Sequence, residues 1–259
     1  MKIKILSDLH LELHEKQPFN PGSGELLILA GDILTAKHLN ATGKLGDQYR
    51  QFLKDCSDNF EQVLYVAGNH EHYSYNVNST HKDIRKHLPK NVYLMENNKF
   101  VLNNWIFIGS TFWTDFNNQN ASDMFVVKTM INDYRYIRIG PNYRKLLPED
   151  VLQMHLDSRR YLEEQLRVHK NDNVFVITHH APSVKSIHDR FKGNVSNAAY
   201  YTEMSDLILN NPQIKYWVSG HTHHCTDYMI GDCRCICNAR GYYLFEEKNG
   251  FDPDLEIQI

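Results

Sequence analysis

One stretch constrains this chain more than any other: residues 62–72 read Gln-Val-Leu-Tyr-Val-Ala-Gly-Asn-His-Glu-His. The apolar run 63–67 stops at Gly68, and Asn69, His70 and Glu71 follow at once. A short apolar run bounded by glycine is the pattern of a strand buried on both faces of a sheet. Ligand sites in such sheets lie just past the carboxyl ends of the strands. Gly68 lets the backbone turn sharply there and presents the polar residues at the sheet edge.

Four other apolar runs end the same way. Residues 2–6 lead into Ser7-Asp8-Leu9-His10, and 25–30 into Gly31-Asp32. Residues 173–178 lead into His179-His180-Ala181-Pro182, and 215–219 into Gly220-His221-Thr222-His223. Between them, Tyr49, Phe52, Leu53, Cys56 and Phe60 recur at helical spacing. Thr80 with Asp83 resembles a capping box for a short helix through Ile84 and Leu88. Pro148-Glu149-Asp150 opens another helix, whose buried stripe is Val151, Met154, Tyr161, Leu162 and Leu166. A further helix is expected with Tyr200, Met204, Leu207 and Ile208 on one face. This alternation predicts an α/β fold with a mainly parallel sheet and helices on its faces.

Three closely spaced strands, 92–95, 99–102 and 105–110, read as a meander, and 228–245 as paired strands. The segment 111–147 has little periodicity and is too long for a simple connection, which marks it as functional. No repeat, low-complexity tract or linker interrupts the sequence. The expectation is one domain over 1–259 with a lid-like insert at about 111–147.

Composition narrows the function. A hydrophobic content of 42% with 23% charged residues is ordinary for a soluble globule. No apolar run approaches the roughly 18 residues of a membrane span. Met1 to Asp8 carries charges inside its apolar part and is not read as a secretory signal. Five cysteines, four of them between Cys225 and Cys237, imply no disulfide framework. The expected location is cytoplasmic. A net charge of −3 argues against binding nucleic acid through the whole surface.

The strand ends supply Asp8, His10, Asp32, Asn69, His70, His179, His221 and His223. Carboxylate, imidazole and amide oxygen together suit manganese, iron or zinc better than magnesium or calcium. Asp-x-His and His-x-His pairs can reach one side of an extended or tightly turned backbone.

The series Asp8-x-His10, Gly31-Asp32, Gly68-Asn69-His70-Glu71, His179 and Gly220-His221-x-His223 resembles the calcineurin-like metallophosphoesterase superfamily, in its bacterial-type small-molecule branch. The resemblance spans residues 3–223. It implies a four-layer α/β/β/α sandwich of two mixed sheets with a dinuclear centre at the strand ends. By that pattern Asp8, His10, Asp32 and His223 hold one ion. Asp32, bridging, with Asn69, His179 and His221 holds the other. His70 contacts the scissile phosphate and protonates the leaving oxygen. Glu71 is no ligand there and is expected to orient a neighbouring histidine. The two ions, manganese first and iron or zinc next, support hydrolysis of phosphate mono- or diesters by metal-bound hydroxide.

Other residues are weighed against plainer readings. His180 is a second-row residue, a phosphate contact, or the ligand in place of His179, with His179 favoured as the first residue past its strand. His14, His72 and His224 read as exposed loop histidines. Cys233, Cys235 and Cys237 share one face of a strand and read as packing rather than a zinc site. Residues 132–145 interleave Tyr134, Tyr136 and Tyr143 with Arg135, Arg138, Arg144 and Lys145. Thr111-Phe112-Trp113-Thr114-Asp115-Phe116 and Asn132-Asp133-Tyr134-Arg135 resemble stretches of bacterial-type members, which suggests a substrate wall with Arg135 as phosphate contact and Arg240 as a weaker candidate. The expected partner is a small phosphate ester, nucleotide-like, with nucleic acid less favoured and no membrane. A DNA or RNA nuclease and a non-catalytic scaffold are the alternatives; a scaffold predicts lost ligands or a lost acid, and this chain keeps both.

Overall fold

The computed structural model describes residues 1–13, 19–242, 246 and 249–259. Strands β1 (Lys2–Leu6), β2 (Gly24–Ala30), β3 (Phe60–Val66) and β4 (Val92–Leu94) pair in parallel, and β13 (Glu256–Gln258) lies antiparallel beside β1. The second sheet contains β5 (Asn98–Leu102), β6 (Trp105–Ser110), β9 (Asn173–Thr178), β10 (Ile214–Ser219), β11 (Thr226–Ile230) and β12 (Cys233–Cys237). Its order is β11-β12-β10-β9-β6-β5, with antiparallel edge strands around a parallel centre.

Alternation along the strands explains the layering. Ile3, Ile5, Leu26, Ile28, Leu64 and Val66 meet Phe107, Phe175, Ile177 and Val218 in the core between the sheets. The residues in between face outward. Leu27, Leu29, Val63 and Tyr65 pack on Tyr49, Phe52 and Leu53 of the helix Lys44–Asn59. Ile106, Ile108, Val174, Val176 and Trp217 pack on Leu162 and Leu166 of the helix Pro148–Val168. Every central strand is buried on both sides, which is why its sequence reads as a continuous apolar run. The result is the expected α/β/β/α sandwich of two mixed sheets.

Two local expectations are corrected. The strands after residue 90 are not a meander: β4 completes the first sheet, and β5 and β6 form a hairpin in the second. The chain changes sheets at residues 95–97, where Met95 plugs the inter-sheet core. The helix Val77–Arg85 is capped by Asn76, whose side chain accepts from the Asn78 N–H at 3.1 Å. Thr80 lies inside that helix, its hydroxyl donating to the Asn76 carbonyl. The segment 111–147 has its own core of Trp113, Phe116, Val127, Tyr134, Ile137 and Leu146. Its pieces are too short for a periodic signal: the helix Ala121–Met130, the turn Asp133–Tyr136, and a hairpin of β7 (Arg138–Ile139) and β8 (Arg144–Lys145). Phe116 to Gln119 form a left-handed turn with φ of 53–63°.

Cys233, Cys235 and Cys237 are buried on their strand, and all five cysteines are free thiols. Phe245, the end of the expected paired strands, lies outside the described residues, as does His14.

Candidate metal centre

The ends of β1, β2, β3, β9 and β10 bring Asp8, His10, Asp32, Asn69, His70, His179, His221 and His223 to one place. Donor atoms of Asp8, His10, Asp32 and His223 lie within 4.8 Å of one another, and so do those of Asp32, His179 and His221. Asp32 belongs to both sets. The backbone turns that achieve this are unusual: Asp8, His10, Asp32, His221 and His223 all have positive φ, between 44° and 67°. L residues rarely occupy that region and persist there only when surrounding bonds hold them. Those bonds are present. Asp8 N–H donates to the Gly31 carbonyl at 2.9 Å, and His10 N–H to that of Asp32 at 3.0 Å. His221 N–H donates to the Asp8 carboxylate at 3.0 Å and ties the two sheets together. Gly68 has no alternative, because a side chain there would collide with Asp32 and the His179 ring.

Each histidine has one ring nitrogen committed to the protein. His179 Nδ1 faces the Ala30 carbonyl at 2.9 Å, and His221 Nε2 faces that of Ala199 at 3.2 Å. His10 Nδ1 faces Glu12 at 3.1 Å, and His223 Nδ1 faces Glu246 at 2.7 Å. These acceptors take the ring protons, so the other nitrogens are left as lone pairs. The lone pairs confront each other: His10 Nε2 is 3.0 Å from His223 Nε2, and His179 Nε2 is 3.2 Å from His221 Nδ1. Two acceptors at that distance repel unless a cation lies among them. The donor sets therefore fit two divalent metal ions on geometry alone. Burial opposes charge on His179 and His223, but Asp32 outweighs it at His179, holding it at about 9. Asp8 and Glu246 do the same at His223, holding it at about 10.

Asn69 presents its oxygen 3.0 Å from His179 Nε2. Its amide is fixed from behind: Nδ2 donates to Asp133 at 2.9 Å, and the Tyr73 hydroxyl donates to the same oxygen at 2.8 Å. His70 lies beside the centre, its Nδ1 2.8 Å from Glu12 and its Nε2 3.9 Å from Asp32. Tyr73 stacks on its ring at 4.1 Å. Burial lowers the His70 pKa, but Asp32 and Glu12 outweigh burial and raise it to about 9.

Glu71 does not orient a histidine. Its buried carboxylate accepts from the backbone N–H groups of Asp32, Ile33 and Gly68 at 3.1, 2.8 and 2.7 Å, and from the Tyr65 hydroxyl at 2.6 Å. It holds the Asp32 loop against the end of β3. The histidine-orienting carboxylates are Glu246, which faces His223, and Glu12, which binds both His10 and His70. The signal for Glu12 was the third step of Asp8-x-His10-x-Glu12. Asp133 was also missed, because the stretch containing it drew attention for Arg135. Glu246 carries no signal in the sequence.

A cleft of about 690 Å³ opens over the centre. Asp32, Asn69, His70, His221 and His223 lie on its floor, with Met130 to Asp133 on one wall and residues of 187–200 on another. Three expected substrate contacts are not in its lining. His180 is 2% exposed and packs behind His221, ring centroids 4.3 Å apart. The Arg135 guanidinium turns back to the Thr129 carbonyl at 3.1 Å. That of Arg240 stacks over Phe19 at 5.1 Å. His72, expected in an exposed loop, is fully buried between His81 and Trp113. His224 lines the cleft.

Comparison with known proteins agrees with this geometry. Uncharacterized protein L509 of Acanthamoeba polyphaga mimivirus is 28% identical over 281 residues, covering 99% of this chain and 96% of that protein. The phosphopantetheinyl hydrolase of Mycobacterium tuberculosis shares the fold, with a TM-score of 0.67 at 14% identity over 99% of this chain and 95% of that one. TT1561 of Thermus thermophilus gives a TM-score of 0.55 at 12% identity, over 92% and 88% of the two chains. The family model for calcineurin-like phosphoesterases matches residues 1–225, the span that contains every strand end of the centre. With its donor sets at those strand ends, this chain belongs to the calcineurin-like phosphoesterase family.

Proposed function

We propose that this protein hydrolyses phosphate mono- or diesters of small, nucleotide-like molecules, using two divalent ions on the cleft floor. The observation that carries the reading is Asp32, a carboxylate with two oxygens common to two donor sets. Asp8, His10, Asp32 and His223 would hold one ion, and Asp32, Asn69, His179 and His221 the other. Manganese is the first choice for such a mixed oxygen and nitrogen set. Bound there, the ions supply Lewis acidity at a phosphoryl oxygen and activate water as the nucleophile.

The chain's own residues supply the rest. Glu12 stabilises the protonated ring of His70, which carries at Nε2 the proton for the leaving oxygen. Stacking on Tyr73 fixes the direction of that proton. Asp133 and Tyr73 hold the Asn69 amide so that its oxygen, not its nitrogen, faces the ions. Glu71 fixes the backbone from which Asp32 projects. The cleft volume lies in the range typical of small-molecule sites, which supports a small substrate over a nucleic acid. Among the described residues no helix is long and apolar enough to cross a membrane. A cytoplasmic setting completes the reading, supported by five free thiols.

The test compares a nitrophenyl phosphate monoester with the bis-nitrophenyl diester, with manganese and after chelation, with Asn69→Ala as control. Turnover of one ester or both should require the metal and fall at least about a hundredfold in the variant. Turnover that survives exhaustive chelation sinks the proposal.

A further inference from the structure

One wall of the cleft carries charge that the metal centre does not use. His188, Arg190 and Phe191 on one segment, and His224 opposite, line the same cavity as Asp32 and His70. The exposed Arg190 guanidinium lies over the Phe191 ring at 4.4 Å, a contact that favours one direction. Arg190 N–H donates to His188 Nδ1 at 3.1 Å, so His188 carries its own proton on Nε2. The His188 and His224 rings meet edge to face at 4.5 Å.

Among the described residues no carboxylate lies within ion-pair distance of Arg190. Asp189, the acid next to it, pairs with Lys192 at 2.5 Å and is not in the lining. The acids that do line the cleft are engaged elsewhere: Asp133 by Asn69 and Tyr73, Glu246 by His223, and Asp32 in the metal centre. A planar cation stacked in place, beside two imidazoles and facing a cavity, is suited to bidentate recognition of a phosphate.

We infer that His188, Arg190 and His224 form a second phosphate subsite, and that the substrate class is a small molecule with two phosphate groups. One phosphate is hydrolysed at the floor and the other is gripped by the wall. This deepens the phosphoesterase reading and rests on it for the identity of the first group.

The experiment measures binding of methylphosphonate and of α,ω-alkylene bisphosphonates of increasing chain length to the manganese-loaded protein, by calorimetry. The ratio of the two dissociation constants is the readout. The best bisphosphonate should bind about tenfold or more tightly than methylphosphonate, as one charge-assisted contact provides. In Arg190→Ala the ratio should collapse toward one, and in Arg190→Lys it should be partly kept, since charge remains and the fork is lost. A ratio near one for every chain length in the unaltered protein, or a ratio undiminished in Arg190→Ala, overturns the subsite. Nitrophenyl ester hydrolysis is scored separately in the same preparations. A protein that shows the Arg190-dependent preference but no turnover keeps the subsite and loses the catalytic reading. One with turnover but no preference does the reverse.

Discussion

The floor and the walls of the cleft are built on opposite principles. On the floor, Asp32 is 1% and Asn69 4% exposed, with Asp8, His10 and His179 of the same centre fully buried, and each donor projects from a strand end tied by backbone bonds. On the walls, Met130 is 51% and Phe191 43% exposed, and they sit on short helices and turns. A buried donor cannot change direction without breaking several bonds, whereas a wall residue can change at little cost to the fold. The floor thus fixes what reaction is possible, and the walls choose what enters.

The sharpest way to break this contrast is Asp32→Asn. It removes the charge and one of the two good oxygens that the donor sets share. Metal content should fall from about two ions per chain toward one, with a loss of phosphate-ester turnover of about a thousandfold, several kcal/mol at the barrier. Elemental analysis beside kinetics decides it; two retained ions would mean the sets are not coupled through Asp32. Asp133→Asn comes next, because Asp133 is a wall residue that reaches the floor. Losing the acceptor that orients Asn69 should weaken manganese binding about 10- to 100-fold, as seen by titrating activity against free metal. An unchanged requirement for manganese would separate wall and floor entirely. Phe191→Ala should do least: about a fivefold rise in KM, the ~1 kcal/mol of an aromatic contact, with kcat kept within about twofold. A large fall in kcat would show that the wall takes part in the chemistry.

The sequence was informative where structure repeats and silent where it does not. The apolar runs of β1, β2, β3, β9 and β10 are buried on both faces, so each stands out as an unbroken stretch, and the polar residue after each is conspicuous. The placement of Asp8 through His223 follows from that. The connection from β4 to β5 was misread, because local pattern shows a strand and not which sheet receives it. Arg135 was expected at the substrate and Asp133 was overlooked, although they are two residues apart. A four-residue turn decides which of them faces the cleft, and no periodicity exists at that length. Glu246 acts on His223 and Glu12 on His70 across 23 and 58 residues, pairings that only the folded molecule brings about, whereas Glu12 stands two residues from His10 in the sequence.

Five of the donor residues have left-handed backbones, each costing roughly 1–2 kcal/mol by itself. Summed, that approaches the whole net stability of an ordinary domain. Divalent ions that bind only the native form offset it by mass action, adding about 1.4 kcal/mol for each tenfold excess of free ion over its dissociation constant. Metal supply then governs the lifetime of the folded molecule as well as its turnover. Chelation would then lower the melting temperature of the protein as well as its turnover.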